Sequence, residues 1–140
     1  MASQIEQPHT LMKKLPCLAA LLLGLAFITF GLNHFLKFMP AGGPMEEGSA
    51  PAMFFGAIAS TGFLTFVKIF EITGGLLVAI PKTRNIGLLI LGPIVINILA
   101  INILIIGAGA VFQLPVIVIS VLSAYLLFAA KDKFLGLLND

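Results

Sequence analysis

Apolar stretches of near-membrane-spanning length occupy most of this 140-residue chain. Hydrophobic residues make up 59% of the sequence and charged residues only 10%, whereas a soluble domain typically carries about 25% charged residues. The net charge of +2 is small, and the few basic residues flank apolar segments, which suits membrane topology rather than a nucleic-acid surface. The sequence therefore predicts an all-α integral membrane protein that contacts the lipid bilayer and does not bind nucleic acid.

We predict a single membrane domain, residues 1–140, built as a four-helix bundle with a short interfacial helix between the first two spans. The spans are predicted at residues 15–38, 62–80, 86–106 and 114–130. Residues 51–61 are too few to cross a bilayer, which takes about 20 residues, so they are predicted to form the interfacial helix. Ser49 can cap it, Pro51 suits its first turn, and Gly62 is a plausible joint to the second span.

The basic residues predict the orientation of the chain. They fall in three segments on one side of the predicted spans: Lys13 and Lys14, Lys82 and Arg84, and Lys131 and Lys133. The loop with Glu46 and Glu47 and the uncharged loop at 107–113 fall on the other side. By the positive-inside rule, we predict a multi-pass protein of the cell (inner) membrane with both termini in the cytoplasm.

Lys68 and Glu71 are the two charged residues of the second span, GFLTFVKIFEITGGLLVAI. A charge at this depth costs about 2.5–3.5 kcal/mol on insertion scales, so it usually faces protein or water. The spacing i,i+3 allows the two side chains to pair. They belong to a polar or small stripe that should face the bundle interior: Thr61, Thr65, Lys68, Glu71 and Gly75.

The other polar residues of the spans suggest a pocket in the outer half. Asn97 is matched in depth with Glu71 across the predicted hairpin, so its amide could donate to that carboxylate. Asn33 and His34 end the first span, near several phenylalanines. Aromatic surface with a few polar groups is typical of a small-molecule site, although ordinary packing and interfacial anchoring explain it equally well. The candidate pocket residues are Asn33, His34, Lys68, Glu71 and Asn97.

Few other sites are indicated. His34 and Glu71 are too few ligands for a metal, so no metal site is predicted, and no haem, flavin or iron–sulfur ligand set is recognisable. The single cysteine, Cys17, is expected to be a small apolar filler. Ala20 with Gly24, and Ser120 with Ala124, have the spacing that allows close helix packing.

Ordered polar and glycine positions give the chain a family resemblance. The segments GLAFITFGLNHFLKFMP and TGFLTFVKIFEITGGLLVAIPKTRNIGLLILGPIVINILAIN resemble the DoxX-like membrane proteins. The resemblance covers about residues 18–130 and implies a four-helix membrane bundle. It implies an association with quinone-linked or redox-stress complexes. The family's polar positions map onto Glu71, Asn97, Asn33 and His34, whereas relatives often carry His where this chain has Asn102.

Two functional hypotheses follow, and whether the protein is an enzyme stays open. In the first, the chain is an accessory or structural subunit of a membrane redox complex, and Lys68, Glu71 and Asn97 fix helix register. In the second, it is a quinone-interacting oxidoreductase component, in which Lys68 or His34 binds a quinone carbonyl and Glu71 accepts or delivers the proton. Electrons would come from a redox-protein partner subunit. The chain could also form a homo-oligomer.

Overall fold

The computed structural model describes residues 8–40 and 42–138, with side chains from residue 14 onward, and every regular element in these ranges is a helix. The α-helices are α1 (Pro8–Leu36), α2 (Ala50–Ser60), α3 (Phe63–Ala79), α4 (Arg84–Ala100), α5 (Leu114–Ala129) and α6 (Lys131–Leu135). A π-helical segment, Ile101–Ile106, continues α4, and 3-10 helices cover Ala108–Phe112 and Gly136–Leu138. Residues 1–7, 41 and 139–140 lie outside the described part of the predicted domain.

Two of the helices are long and apolar enough to cross a membrane by themselves. They are Lys14–Leu36 and the continuous Arg84–Ile106, each 23 residues long. Two bent pairs also reach the required length if each is taken as one span: α2 with α3, bent by 80°, and α5 with the helical tail, bent by 68°. The helices therefore indicate a membrane protein with two to four candidate spans.

The first and third predicted spans differ from the observed helices at their ends. α1 is already helical at Pro8, the first residue described, and not only from residue 15. It ends at Leu36, where Lys37 takes a positive φ of 51° and its N–H donates to the Asn33 carbonyl at 2.8 Å. The third span begins two residues early, at Arg84, and its last six residues are π-helical.

The sequence signals for the start of α2 and for its joint to α3 are confirmed. The Ser49 hydroxyl accepts a hydrogen bond from the Ala52 N–H, and Pro51 lies in the first turn of α2. Gly62 joins α2 to α3 with a φ of 81°, a backbone conformation that is unfavourable for residues with a Cβ. Thr61 departs from the predicted stripe. It caps α2 by donating its hydroxyl to the Ala57 carbonyl at 2.7 Å, so it does not lie on the face of α3.

α1 and α3 pack antiparallel along a seam of small residues. A Cβ added at Gly24 would lie 2.5 Å from the Gly75 carbonyl oxygen, and one added at Gly75 would lie 2.9 Å from the Gly24 oxygen. One heptad further along α1, a Cβ at Gly31 would lie 2.5 Å from Ile72. Small residues at these positions let the two backbones approach closely, as is common between membrane helices.

A second close contact joins α3 to α4. A Cβ on Gly74 would meet Leu91 at 2.7 Å, and one on Gly87 would overlap the backbone nitrogen of Val78. α5 packs against both α1 and α4 and closes the core. The buried apolar residues of these four helices are Ala19, Ala20, Leu23, Phe27, Val78, Leu88, Leu91, Val95, Val116, Ile119 and Leu126. α3 thus lies between α1 and α4, and its charged residues are held in the middle of the bundle.

Candidate functional site

Lys68 and Glu71 form the ion pair that their spacing predicts. The Lys68 ammonium donates to Glu71 Oε2 at 3.0 Å and to Oε1 at 3.3 Å. The Glu71 side chain is 6% exposed, whereas the Lys68 side chain is 21% exposed. The carboxylate is therefore the interior member of the pair. The lysine reaches it from one turn nearer to Gly62, where α3 begins.

Glu71 lies close to both contact surfaces of α3. The Lys68 carbonyl lies on the side facing α1, since a Cβ on Gly31 would come within 3.4 Å of it. Glu71 lies one turn from Gly74, which contacts Leu91 of α4, and residues three apart share a helix face. Gly75, four residues from Glu71, contacts Gly24 of α1, so Glu71 lies on the part of α3 between its contacts with α1 and with α4.

His34 and Thr65 extend the polar surface towards the end of α1. His34 Nε2 and Thr65 Oγ1 are 2.9 Å apart and half-buried, and they join the last turn of α1 to the first turn of α3. Thr65, Lys68 and Glu71 follow one another at three-residue steps on α3. We call these four residues, His34, Thr65, Lys68 and Glu71, the polar seam.

Asn33 does not join the polar seam, although the sequence placed it in the candidate pocket. Its Oδ1 accepts a hydrogen bond from the Met39 N–H at 2.8 Å, and its backbone carbonyl accepts one from Lys37. Both oxygens of Asn33 therefore serve the turn that ends α1. The side chain is half-buried, and its acceptor is used locally.

The predicted contact between Asn97 and Glu71 is wrong. Asn97 is exposed, and its amide donates to the Pro93 carbonyl of its own helix at 2.9 Å. The buried face of α4 includes Leu91 and Val95. At 3.6 residues per turn, Asn97 points about 120–160° away from these two residues. Asn97 and Glu71 were matched by depth in the membrane, but a depth match does not determine the direction of a side chain around its helix.

The buried polar residue of this helix is Asn102, in the π-helical segment. It is 7% exposed, and its amide donates to the Ile98 carbonyl at 2.7 Å. The Gly107 N–H donates to the Asn102 carbonyl, five residues back, at 3.0 Å. The segment packs against α2. π-helical turns often occur at functional positions, but the Asn102 amide is bonded within its own helix.

One aromatic groove does not include any residue of the polar seam. An apolar groove of about 280 Å³ runs between α3 and α4, lined by Phe66, Val67, Phe70, Ile90 and Ile94. The Phe66 and Phe70 rings have centroids 4.9 Å apart, and both side chains are exposed. None of the five predicted pocket residues lines this groove. This groove therefore excludes the polar residues of the predicted pocket, whereas the Phe35 ring contacts the His34 ring with centroids 5.0 Å apart.

A further contact links the start of α4 to the N-terminal half of α1, at the end of the bundle remote from the polar seam. Cys17, expected to be a filler, is exposed, and its Sγ lies 3.8 Å from Nη1 of Arg84. Arg84 Nε also donates to the Val78 carbonyl at 3.3 Å. No sequence pattern indicated the contact between Cys17 and Arg84, because this contact depends on which helix ends meet.

The residues that the structure describes contain no group of three or more His, Cys, Asp or Glu side chains that could hold a metal ion. The side chains of His34, Lys68 and Glu71 allow the polar seam to form hydrogen bonds and to exchange protons.

Comparisons of the chain with protein-family models, with curated proteins and with solved structures found no match.

Proposed function

We propose that this chain is a DoxX-like four-helix membrane protein that acts as an accessory or structural subunit of a membrane redox complex. The observation that carries this proposal is the state of Glu71, which is buried and has both carboxylate oxygens bonded to Lys68. A carboxylate whose bonds are closed within its own helix suits a structural role, because it lets Glu71 stay buried where α3 packs in the bundle. The resemblance of GLNHF and the Glu71-to-Gly75 segment to the family supports the redox context.

In this proposal the chain crosses the membrane four times. The contacts between α1 and α3 continue from His34 and Thr65 to Gly24 and Ala79, so α3 runs beside α1 through most of its length. The 80° bend at Gly62 would let α2 lie along the membrane surface. The basic segments then place both termini in the cytoplasm of the cell membrane.

The proposed partners are lipid and a redox protein. Large apolar side chains are exposed on several helices, among them Phe66, Ile96, Leu104 and Phe128, and such surface suits either acyl chains or an apolar partner helix. A partner subunit would supply the electrons.

A second candidate function is favoured by the contact between His34 and Thr65. The polar seam runs from this contact, at the outer end of α1, to the buried Glu71. In a quinone-interacting component, His34 or Lys68 would bind a quinone carbonyl, and Glu71 would accept or deliver the proton. The quinone is the one cofactor that this candidate function requires.

The experiment compares wild type with a double variant that removes both charges of α3, Lys68→Met with Glu71→Leu. Replacing a buried ion pair by apolar residues of similar size is often neutral or stabilising, so the accessory role predicts that the double variant still assembles. Each protein is purified in native lipid, and co-purifying proteins and quinone are identified by mass spectrometry.

The outcomes separate the two functions. Under the accessory role, the same redox partner co-purifies with both proteins, and the redox activity of the complex is unchanged. An assembled double variant that loses quinone and activity would support the quinone-interacting component instead. If wild type brings down neither a redox protein nor a quinone, both candidate functions are wrong.

A further inference from the structure

A second cavity lies at the end of the bundle remote from the polar seam. Its volume is about 290 Å³, and it forms where the start of α1, the turn between α3 and α4, and the junction of α5 and α6 meet. The residues that line it are Pro16, Pro81, Arg84, Asn85, Leu88, Leu126, Ala129, Ala130, Asp132 and Lys133. The cavity therefore brings together residues from three separate parts of the chain at the end of the bundle where the basic segments lie.

The charged residues of the cavity favour an anion. Arg84 and Lys133 contribute two positive charges, Asp132 contributes one negative charge, and Asn85 contributes an amide. Among residues 14–40 and 42–138, no carboxylate forms an ion pair with Arg84 or Lys133. The guanidinium of Arg84 has five N–H donors, and two of its nitrogens contact Val78 and Cys17. Donors therefore remain for a ligand.

The position of the cavity indicates where the anion comes from. Its apolar lining includes Leu88 and Leu126, which are buried in the core, while its charged lining lies at the ends of α4 and α6. A phospholipid has this same order of groups, with a phosphate beside apolar chains. Basic pockets between helix ends on the cytoplasmic side are typical sites for anionic headgroups.

The geometry points to a binding site for the phosphate of an anionic phospholipid, held by Arg84 and Lys133. This inference requires that the apolar helices lie in a bilayer, but it does not depend on the proposed redox role. Lys82 and Lys131 are the neighbouring basic residues that do not line the cavity. The Lys131 ammonium lies 4.5 Å from the centre of the Phe128 ring instead. These two lysines therefore provide matched controls with the same charge.

The test is native mass spectrometry of the full chain in detergent, titrated with phosphatidylglycerol, with phosphatidylcholine and with inorganic phosphate. We expect wild type to retain phosphatidylglycerol in preference to phosphatidylcholine. Lys133→Gln and Arg84→Gln should each weaken this binding by about tenfold, the size expected for a lost charge-assisted hydrogen bond. Lys82→Gln and Lys131→Gln should change it by less than about twofold.

Asp132→Asn gives a test of opposite sign. It removes the negative charge of the cavity, so we expect tighter binding of phosphatidylglycerol. Equal losses in all four Lys and Arg variants would mean general surface attraction and would overturn the site. Displacement of the lipid by an equal concentration of inorganic phosphate would assign the cavity to a soluble phosphate. If Arg84→Gln does not fold, because Arg84 also supports the Val78 carbonyl, Lys133→Gln and Asp132→Asn still decide the question.

Discussion

Lys68 and Glu71 are buried to different extents, and this difference predicts unequal costs when either partner is removed. Lys68→Met leaves the carboxylate of Glu71, which is 5% exposed, without its cation, and breaking a buried pair in this way costs about 3–5 kcal/mol. Glu71→Gln should cost less, because the long stem of Lys68 can carry its ammonium towards water. The measurement is the free energy of unfolding in mixed micelles.

The variant carrying both Lys68→Met and Glu71→Leu is the control for this comparison. It removes both charges, so its stability should lie closer to wild type than that of Lys68→Met. A larger loss in Glu71→Gln than in Lys68→Met would contradict the structural account, since it would show that Lys68 cannot leave the interior.

Asn97 and Asn102 provide a second pair of opposed predictions. Asn97 is exposed and bonded within its own helix, so Asn97→Leu should change the unfolding free energy by less than about 0.5 kcal/mol. Asn102 is buried, in the π-helical segment that packs against α2, and we expect Asn102→Leu to cost about 1–3 kcal/mol through overpacking and the lost hydrogen bond. The same micelle assay measures both variants. A larger loss of unfolding free energy for Asn97→Leu than for Asn102→Leu would contradict the exposed position of Asn97.

Some contacts of the site can be predicted from sequence and others cannot, for a geometric reason. The pairing of Lys68 with Glu71 depends only on helix periodicity, which the spacing i,i+3 supplies. The contact of His34 with Thr65 depends on the register between two helices that are 26 residues apart in sequence. Asn97 was placed by depth alone, and the angle around the helix decided where it points.

At the scale of helices, the glycine contacts between α3 and α4 predict a position-specific effect. Gly87 and Gly92 lie on the same helix, but a Cβ at Gly87 would overlap the backbone of Val78, whereas one at Gly92 meets nothing within 4 Å. Gly87→Ala should therefore cost about 1–3 kcal/mol. Gly92→Ala should be neutral or stabilising by up to about 1 kcal/mol, since alanine favours a helix. Thermal unfolding of both variants measures the difference, and equal effects would contradict the packing of α3 against α4.

The ends of the helices follow local chemistry where a local signal exists. Ser49, Pro51 and Gly62 mark α2 and its joint to α3 in the sequence, and each acts as its residue type predicts. The helical residues of α1 before residue 15 lie outside the predicted span, because hydropathy locates the apolar part of a helix and not its polar end. The π-helical end of α4 depends on hydrogen bonds around Asn102 that no sequence pattern indicated.

At the scale of the whole molecule, the apolar pattern locates the helices but does not count the crossings. α3 has 17 residues, and at 1.5 Å per residue it extends about 25 Å, somewhat less than the roughly 30 Å of a hydrocarbon core. Local thinning of the bilayer or flanking polar residues can accommodate such a difference. Its continuous packing along α1 is the stronger argument that α3 crosses.

Cysteine labelling distinguishes four crossings from two, because the two arrangements place the middle of the chain on opposite sides. With the N-terminus inside, four crossings put Lys82 inside and Gly109 outside, whereas crossings by α1 and α4 alone put Lys82 outside and Gly109 inside. We expect an impermeant maleimide on sealed vesicles of known sidedness to label Gly109→Cys from the outer face and Lys82→Cys from the inner face, in a Cys17→Ser background. Glu47→Cys is the control, since both arrangements place it outside. The reverse labelling of Lys82→Cys and Gly109→Cys would limit the protein to two crossings. In that arrangement α3 would have to pack against α1 without crossing the bilayer. The close contacts of α3 with Gly24 and Gly31, which lie seven residues apart on α1, argue against such an arrangement.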